Sequence, residues 1–466
     1  MIDNWIIAST GHDPHSVPMG VTIFFALILV SMVACLAFEE KLHAKKSIIV
    51  GLFAVLTLFL GDVFHLLPIG SLVNVFGEEI HLPVYIPGVD WGVIAIILGS
   101  GIFVDVISKS GLFTWIAIKL TKASKGDPLK LLMYYGWMTV LFSAVLNNVT
   151  AMIIVGSLTG VSLKKLDKMN LLLGFLFIEG LLTNIGGLLT LISSVPNIIV
   201  GNAAGISFIT FFLTSGPYVV VATIATLYMG AWLFKIKALA SEEEKSHALE
   251  MVASFDENDG IESKRFFVFA GVMLGAFILT IATTSILPYI KDLGMGYVAL
   301  SFAAMALIKF KSSVDDYYRA IDWDLLGFFV ALFAVINVME HAQVLNLIGQ
   351  GMEPVIAWGE QLGTVSVMFG SALFSSVTDN IPLSAILAKI LSNLQTPADS
   401  SLWWSVIFGA NLGGNLTPIG SASTLVAVTI IHKYELRMSF GKFVTLALPY
   451  AAIQIVLAAA YVLLFV

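Results

Sequence analysis

The sequence predicts an all-α polytopic membrane protein with about ten spans, built as an inverted repeat with two re-entrant helical hairpins and two broken helices. Of its 466 residues, 58% are hydrophobic and only 12% are charged, and the mean hydropathy is +0.94. A soluble domain carries about 25% charged residues, so this chain cannot cover its surface as a soluble protein does. Long apolar segments recur along the chain, and polar motifs repeat within them.

The composition excludes an ordinary cytosolic enzyme, a disordered chain and a nucleic-acid-binding protein. A single cysteine, Cys35, excludes a disulfide framework and argues against a cysteine-based metal site. The chain contains no H-E-x-x-H, no G-x-S-x-G and no G-x-x-x-x-G-K-[ST] motif. We therefore expect neither an enzyme nor an ATP-driven pump, and the expected partners are a small solute and the lipid bilayer.

A helix needs about 20 mostly apolar residues to cross the hydrocarbon of a bilayer. The predicted spans are 17–38, 48–67, 91–108, 170–200, 217–234, 266–286, 294–308, 323–339, 403–431 and 443–466.

The positive charges predict the orientation of these spans. With the N-terminus outside, 22 of the 24 Lys and Arg residues fall in inside loops, whereas the outside segment 68–90 has none. This segregation follows the positive-inside rule and predicts a protein of a bacterial-type inner (plasma) membrane with both termini outside. The polar segment 235–265, with Ser241-Glu-Glu-Glu-Lys245, is predicted to be a solvated cytoplasmic linker.

Two apolar segments, 131–163 and 364–394, are predicted to enter and leave the membrane on one side. The first lies between Lys130 and Lys164, and its middle is the polar run Leu146-Asn-Asn-Val-Thr150. Two crossings would need about 40 apolar residues, so a re-entrant hairpin with a polar tip fits better. The second hairpin has Thr378-Asp-Asn-Ile-Pro382 at its tip and is predicted to enter from outside.

Three ordered motifs recur and predict an internal repeat. The matched pairs are Asp90-Trp91 with Asp322-Trp323, Phe142-Ser-Ala-Val-Leu-Asn-Asn-Val149 with Phe374-Ser-Ser-Val-Thr-Asp-Asn-Ile381, and Asn184-Ile-Gly-Gly-Leu-Leu-Thr-Leu-Ile-Ser-Ser194 with Asn411-Leu-Gly-Gly-Asn-Leu-Thr-Pro-Ile-Gly-Ser421. The flanking charges give the two copies opposite orientation, which is typical of secondary transporters. The predicted domains are scaffold spans 1–90 and 266–322, repeats 91–234 and 323–466, and the linker 235–265.

The hairpin tips and the glycine-interrupted helices are predicted to form the solute site. Broken helices expose carbonyl groups that suit a cation such as Na⁺ and amide groups that suit an anion. Buried acids are candidates for ion or proton binding. The candidates of the first half are Asn147, Asn148, Thr150, Glu179, Asn184, Gly186, Gly187, Thr190, Ser193, Ser194 and Asn197. Those of the second half are Thr378, Asp379, Asn380, Asn411, Gly413, Gly414, Asn415, Thr417, Ser421, Ser423 and Thr424. No cofactor is expected beyond a bound Na⁺ at Asn148, Asp379 and Asn380.

These motifs resemble the ion transporter superfamily of NhaD-type sodium/proton antiporters, arsenite permeases, the melanosomal P protein and divalent anion/sodium symporters. The most specific elements are Val195-Pro-Asn197, Asp379-Asn-Ile-Pro382 and Leu416-Thr-Pro-Ile-Gly-Ser421. The resemblance implies a scaffold domain and a transport domain, an elevator-like motion, a homodimer, and a site made by both tips and both broken helices.

The function predicted first is a secondary active, sodium/proton antiporter-like exchanger that works by alternating access, and an anion carrier is the alternative. A sodium/proton antiporter would use Asp379 for competing Na⁺ and H⁺, assisted by Asn380 and Glu179. Antiporter-like relatives, however, tend to carry an acid at the position of Asn147, and relatives often carry one at the position of Ser194. The loss of two acids favours the alternative, a carrier of arsenite or another anion coupled to an ion gradient.

Overall fold

A computed structural model describes residues 17–73, 76–309, 314–356, 358–378 and 380–466. These residues are nearly all helical, and nine helices among them are long and apolar enough to cross a membrane. The helices are α1 (Met19–Ala37), α2 (Glu39–Leu42), α3 (Lys46–Val63), α4 (Trp91–Ser108), α5 (Leu112–Ser124), α6 (Pro128–Val145), α7 (Asn148–Lys165), α8 (Leu172–Gly186), α9 (Val195–Ala203), α10 (Phe208–Leu233), α11 (Glu242–Ala253), α12 (Lys264–Thr283), α13 (Ile290–Lys309), α14 (Val314–Ala320), α15 (Trp323–His341), α16 (Val344–Ile356), α17 (Glu360–Val377), α18 (Asn380–Asn393), α19 (Ser401–Gly413), α20 (Ala422–Lys433) and α21 (Phe440–Phe465).

The chain divides into two compact units. The smaller unit contains the residues up to Ile94 and Asp322–Pro354, and the larger contains Ala95–Ile321 and Val355–Val466. The boundaries of these two units differ from those of the predicted repeats. The repeat boundaries stay a prediction.

Helices α1, α3 and α15 pack together in the smaller unit. The start of α3 is tied to the start of α15, because Ser47 Oγ donates a 2.5 Å hydrogen bond to Asp324 Oδ1. The segment after α3 forms a short antiparallel hairpin of β1 (Ser71–Val73) and β2 (Glu79–His81). The described residues are otherwise helical, so the predicted helical fold is confirmed with this short two-stranded hairpin added to it.

The larger unit contains both predicted hairpins. The first consists of α6 and α7, and the chain reverses between Val145 and Asn148. Helix α6 begins with Pro128 at its first turn, where the Asp127 side chain accepts a hydrogen bond from Lys130 N, an arrangement that favours a helix start. The second hairpin consists of α17 and α18.

Both predicted broken helices are present in the larger unit. Helix α8 ends at Gly186 and α9 begins at Val195, while α19 ends at Gly413 and α20 begins at Ala422. Helices α8 and α19 are buried along nearly their whole length. They form the core of the unit, whereas Trp232 and Leu464 on the outer helices are largely exposed, as lipid-facing residues are.

Several helices occur outside the predicted spans and hairpins, among them α5 and α11. Helix α5 lies in the predicted inside loop 109–130, and α11 lies within the predicted linker. Ser241 and Glu244 form a reciprocal capping box at the start of α11, which explains why so polar a segment is helical. The linker also contacts the base of the first hairpin, because Leu239 N donates to Asp127 Oδ2 at 3.0 Å.

Candidate functional site

Five asparagines of the larger unit, which we call the asparagine frame, lie around the two helix breaks. They are Asn148, Asn184, Asn197, Asn411 and Asn415. All except the half-buried Asn148 are fully buried. A buried amide is costly unless its polar atoms are paired, and the bonds described below pair them across the two halves of the chain.

The Asn184 side chain joins four neighbours. Its Nδ2 donates to Asn415 Oδ1 at 2.8 Å and to Ser421 Oγ at 2.9 Å. Its Oδ1 accepts from Asn148 Nδ2 at 3.2 Å and from Ser423 Oγ at 3.1 Å. One residue of the first broken helix therefore holds the first hairpin tip together with the break of the second broken helix.

The Asn411 side chain makes the corresponding link in the other direction. Its Oδ1 accepts from Ser194 Oγ at 2.7 Å, and its Nδ2 donates to Asn197 Oδ1 at 2.9 Å. Asn197 Nδ2 donates in turn to the carbonyl oxygens of Gly187 and Thr190. The start of α9 is thus fastened both to its own break and to α19.

Matched hydrogen bonds occur at repeat-equivalent positions of the two halves. The pairs are Ser143 Oγ to Thr183 O with Ser375 Oγ to Ala410 O, Thr190 Oγ1 to Ala144 O with Thr417 Oγ1 to Ser376 O, and Ser194 to Asn411 with Asn184 to Ser421. Since each pair joins positions that the sequence motifs align, these bonds support the internal repeat. The opposite orientation of the halves stays a prediction.

Glycine is required where each broken helix crosses its hairpin. A Cβ on Gly186 would lie 2.6 Å from the carbonyl oxygen of Val140, and one on Gly413 would overlap the carbonyl oxygen of Ala372. These neighbours are backbone atoms of α6 and α17, which cannot rotate away. The paired glycines therefore allow close helix contact, as small residues do in membrane proteins.

Several predicted residues have local roles. Asn147 is exposed and caps α7 by accepting from Thr150 N at 2.8 Å. Thr378 Oγ1 donates to the carbonyl of Phe374 in its own helix, and Ser193 Oγ donates to the carbonyl of Gly187. Asp379 lies outside the described residues. Its neighbour Asn380 is buried, and the carbonyl of Asn380 accepts from Ser384 Oγ.

Other predicted positions shape the break regions. Gly187 lies against the Asn148 side chain, Gly414 lies against Ser421, and Thr424 Oγ1 donates to the carbonyl of Ser421 at 2.8 Å. Each of these contacts stays within one half of the chain, unlike the bonds of the asparagines and serines described above.

Sequence reasoning missed Gln454. This glutamine lies in the middle of α21 and is 1% exposed. Its Oε1 accepts from Asn415 Nδ2 at 2.8 Å, and its Nε2 donates to Thr226 Oγ1 at 2.9 Å. An amide within an otherwise apolar span was the signal that could have identified it, since such residues find polar partners inside a helix bundle.

Glu179 lies apart from the asparagine frame although it shares α8 with Asn184. It is fully buried, and its Oε1 accepts from Thr159 Oγ1 at 2.6 Å. Its Oε2 has no hydrogen-bond partner among the residues that the structure describes. The described residues also hold no group of three or more His, Cys, Asp or Glu suited to a metal ion.

The asparagine frame lies beside the N-terminal ends of three helices. Helices α7, α9 and α20 begin beside it, so their N-terminal amides carry partial positive charge there. The Ser194 side chain does not cap α9, because its hydroxyl donates to Asn411 instead. Ser194 therefore makes no side-chain capping bond at the start of α9, where Val195 is half-buried.

This arrangement, with re-entrant hairpins and broken helices around buried amides, defines a polytopic membrane transporter. The chain belongs to the CitMHS citrate transporter family, which matches residues 33–409. It is 30% identical to the 46 kDa membrane protein of Mycobacterium leprae over 80% of this chain and 86% of that protein. It is 25% identical to the P protein of Mus musculus over 91% of this chain and 60% of that protein. These findings confirm the predicted resemblance and a transporter rather than an enzyme.

Two solved transporter structures have a similar fold. The YdaH transporter of Alcanivorax borkumensis is 13% identical, with a TM-score of 0.56 over 90% of this chain and 98% of that one. The MtrF protein of Neisseria gonorrhoeae, described as illuminating a class of antimetabolite efflux pumps, is 14% identical, with a TM-score of 0.58 over 91% and 95%. At such identities the likeness concerns the fold alone.

Proposed function

We propose that this protein is a secondary transporter that moves a small anion of carboxylate or oxyanion type through the asparagine frame, driven by an ion gradient. The observation that carries this proposal is the start of α9, which the Ser194 side chain does not cap and which lies beside neutral amide and hydroxyl groups. A helix N-terminus with donors around it suits a negative solute. The description of the family as citrate transporters supports the same class of solute.

The experiment uses protein reconstituted in liposomes and radiolabelled citrate as the probe. We expect citrate to accumulate under an imposed ion gradient and to stop accumulating in Asn184→Ala. Competition by unlabelled arsenite and by other carboxylates defines the solute class. If no anion of either type is accumulated or displaces another, the anion proposal is wrong.

Sodium/proton exchange is the second candidate, and the carboxylate of Asp379 in the second tip favours it. Competition of Na⁺ and H⁺ for one carboxylate would couple the two fluxes, with Asn148 and Asn380 as further Na⁺ ligands. The test is Na⁺-driven proton movement in the same vesicles, followed with a pH-sensitive dye. Movement that persists unchanged in Asp379→Asn would eliminate this mechanism.

A homodimer and an elevator-type motion complete the proposal, on the strength of the family resemblance. The paired contacts of α8 with α6 and of α19 with α17 support a transport domain that moves as one body. Cross-linking of paired cysteines between protomers in the membrane tests the dimer.

A further inference from the structure

Glu179 is a buried acid that the asparagine frame does not use. Within the part of the chain that the structure describes, its carboxyl group receives one hydrogen bond, from Thr159 Oγ1, and its second oxygen is buried without a partner. A carboxylate can accept about four hydrogen bonds, so a permanently charged Glu179 would be poorly compensated here. Na⁺ binding would need several oxygen ligands, whereas a proton needs only the free oxygen.

The helices packed around Glu179 bring no opposite charge to it. Helix α7 contributes Thr159, and α10 and α20 face this part of α8 with Gly230 and Ala427. Helix α19 approaches α8 at the neutral side chains of the asparagine frame. Two buried tyrosines lie on helices near this part of α8: Tyr135 on α6, which packs against α8, and Tyr450 on α21, whose ring lies against Phe177.

The Tyr135 hydroxyl belongs to a buried cluster of three hydroxyl groups. It is hydrogen-bonded to Thr121 Oγ1 at 2.8 Å and to Ser162 Oγ at 2.8 Å. Each hydroxyl can donate one proton and accept another. Such a cluster can therefore pass a proton along its hydrogen bonds without gaining or losing one overall.

Two members of this hydroxyl cluster, Thr121 and Ser162, lie nearer the lysine-bearing helix ends than Glu179 does. Ser162 is three residues before the end of α7 at Lys165, and Thr159 is one helical turn further in. Tyr135 and Glu179 each lie seven residues after the start of their helices, α6 and α8. At 1.5 Å per residue, this places Glu179 about 10 Å from that end.

We propose that Glu179 binds the coupling proton at a site separate from the asparagine frame, and that Thr121, Tyr135 and Ser162 connect it to the lysine-bearing face. The transfer converts the carboxylate into a carboxylic acid and needs no other reactant. The coupling role rests on the proposed function, but proton binding itself does not, so it can be measured without any solute.

The experiment is infrared difference spectroscopy of the purified protein across a pH titration, with no solute added. We expect the carbonyl stretch of a protonated carboxylic acid to titrate in the wild type and to be absent in Glu179→Gln. Tyr135→Phe keeps this signal but slows its exchange into heavy water by about a hundredfold, the low end of what a positioned proton-transfer group contributes. Tyr218→Phe, a buried tyrosine outside the cluster, leaves the exchange rate unchanged.

A titrating band that survives in Glu179→Gln would overturn the site, and equal exchange rates in the two tyrosine variants would overturn the route. If Glu179→Gln does not fold, Thr159→Val replaces it, since loss of the donor must shift the band. An unshifted band there also overturns the proposal. Failure of citrate uptake alone would reject the anion function while leaving these results intact.

Discussion

Asn184 and Ser421 share a 2.9 Å hydrogen bond across 237 residues of sequence. Ser194 and Asn411 share the corresponding bond at 2.7 Å. Ser194 and Ser421 each lie just before the second half of a broken helix, α9 and α20. The asparagine bonded to each serine lies in the first half of the other broken helix. The two halves of the site are therefore fastened to each other by a reciprocal exchange of hydrogen bonds.

Asn184→Ala should both destabilise the protein and abolish transport. It leaves the buried Asn415 Oδ1 without the donor that Asn184 supplies, and such an unsatisfied group costs about 1–3 kcal/mol. Thermal unfolding in detergent and uptake by vesicles measure the two effects. Asn346→Ala, which removes an exposed bond to Gln343, is the control and should change neither. A stable and active Asn184→Ala would contradict the role of the frame.

Gly413→Ala should reduce the yield of folded protein, because the added methyl group would overlap the backbone of α17 at Ala372. Overpacking of this kind costs about 1–3 kcal/mol. The matched control is Gly271→Ala in α12, where an added Cβ meets nothing within 4 Å. Thermal unfolding of the two variants should differ clearly, and equal unfolding temperatures would show that α17 can move away.

The hairpins and broken helices could be predicted from sequence because both signals are local. A polar run such as Leu146 to Thr150 interrupts an apolar segment too short for two crossings, and Gly186-Gly187 interrupts a span. The partner of Asn184 could not be predicted, since Asn415 is one of several polar residues near the second break. Glu179 illustrates the same limit: its distance from the asparagine frame depends on which face of α8 it occupies and on Thr159 of another helix.

The linker shows a different limit of sequence reasoning. Its acidic run favours a solvated segment, and α11 is indeed polar. Its apolar contacts come from Phe255, which is buried beneath Lys165, and from Ala248, which packs against Gly126. Isolated apolar residues in a charged segment give too weak a pattern to predict such docking.

Gln454 lies outside the repeated motifs, and we expect Gln454→Leu to weaken the candidate solute site. The substitution keeps the volume but leaves Asn415 Nδ2 and Thr226 Oγ1 without their amide partner, at a cost of about 1–3 kcal/mol for each group. We expect a lower unfolding temperature and a higher KM for the transported solute. Thr226→Val removes only the outer bond and should raise KM less. An equal effect of both variants would mean that Gln454 acts through general packing rather than by positioning Asn415.

Glu257→Gln should weaken the attachment of the linker to α5. The Glu257 carboxylate pairs with Lys119 at 2.7 Å and also with Lys122. These two lysines hold the pKa of Glu257 at about 2, below its ordinary value of 4.5. Amide hydrogen exchange of residues 239–260, followed by mass spectrometry, should therefore be faster in Glu257→Gln. Glu250→Gln, at an exposed position of α11, is the control and should exchange like the wild type.

The same ion pairs predict how docking of the linker depends on pH. Because the pKa of Glu257 is lowered in the docked state, the contribution of the pair is complete above pH 4.5 and is lost as the pH falls toward 2. The wild type should then approach the exchange rate of Glu257→Gln, after correction for intrinsic exchange. Added salt should act in the same direction at neutral pH, since both lysines are partly exposed and screening weakens such pairs. A wild-type linker whose protection is indifferent to both acid and salt would show that Phe255 and Ala248 alone hold it in place.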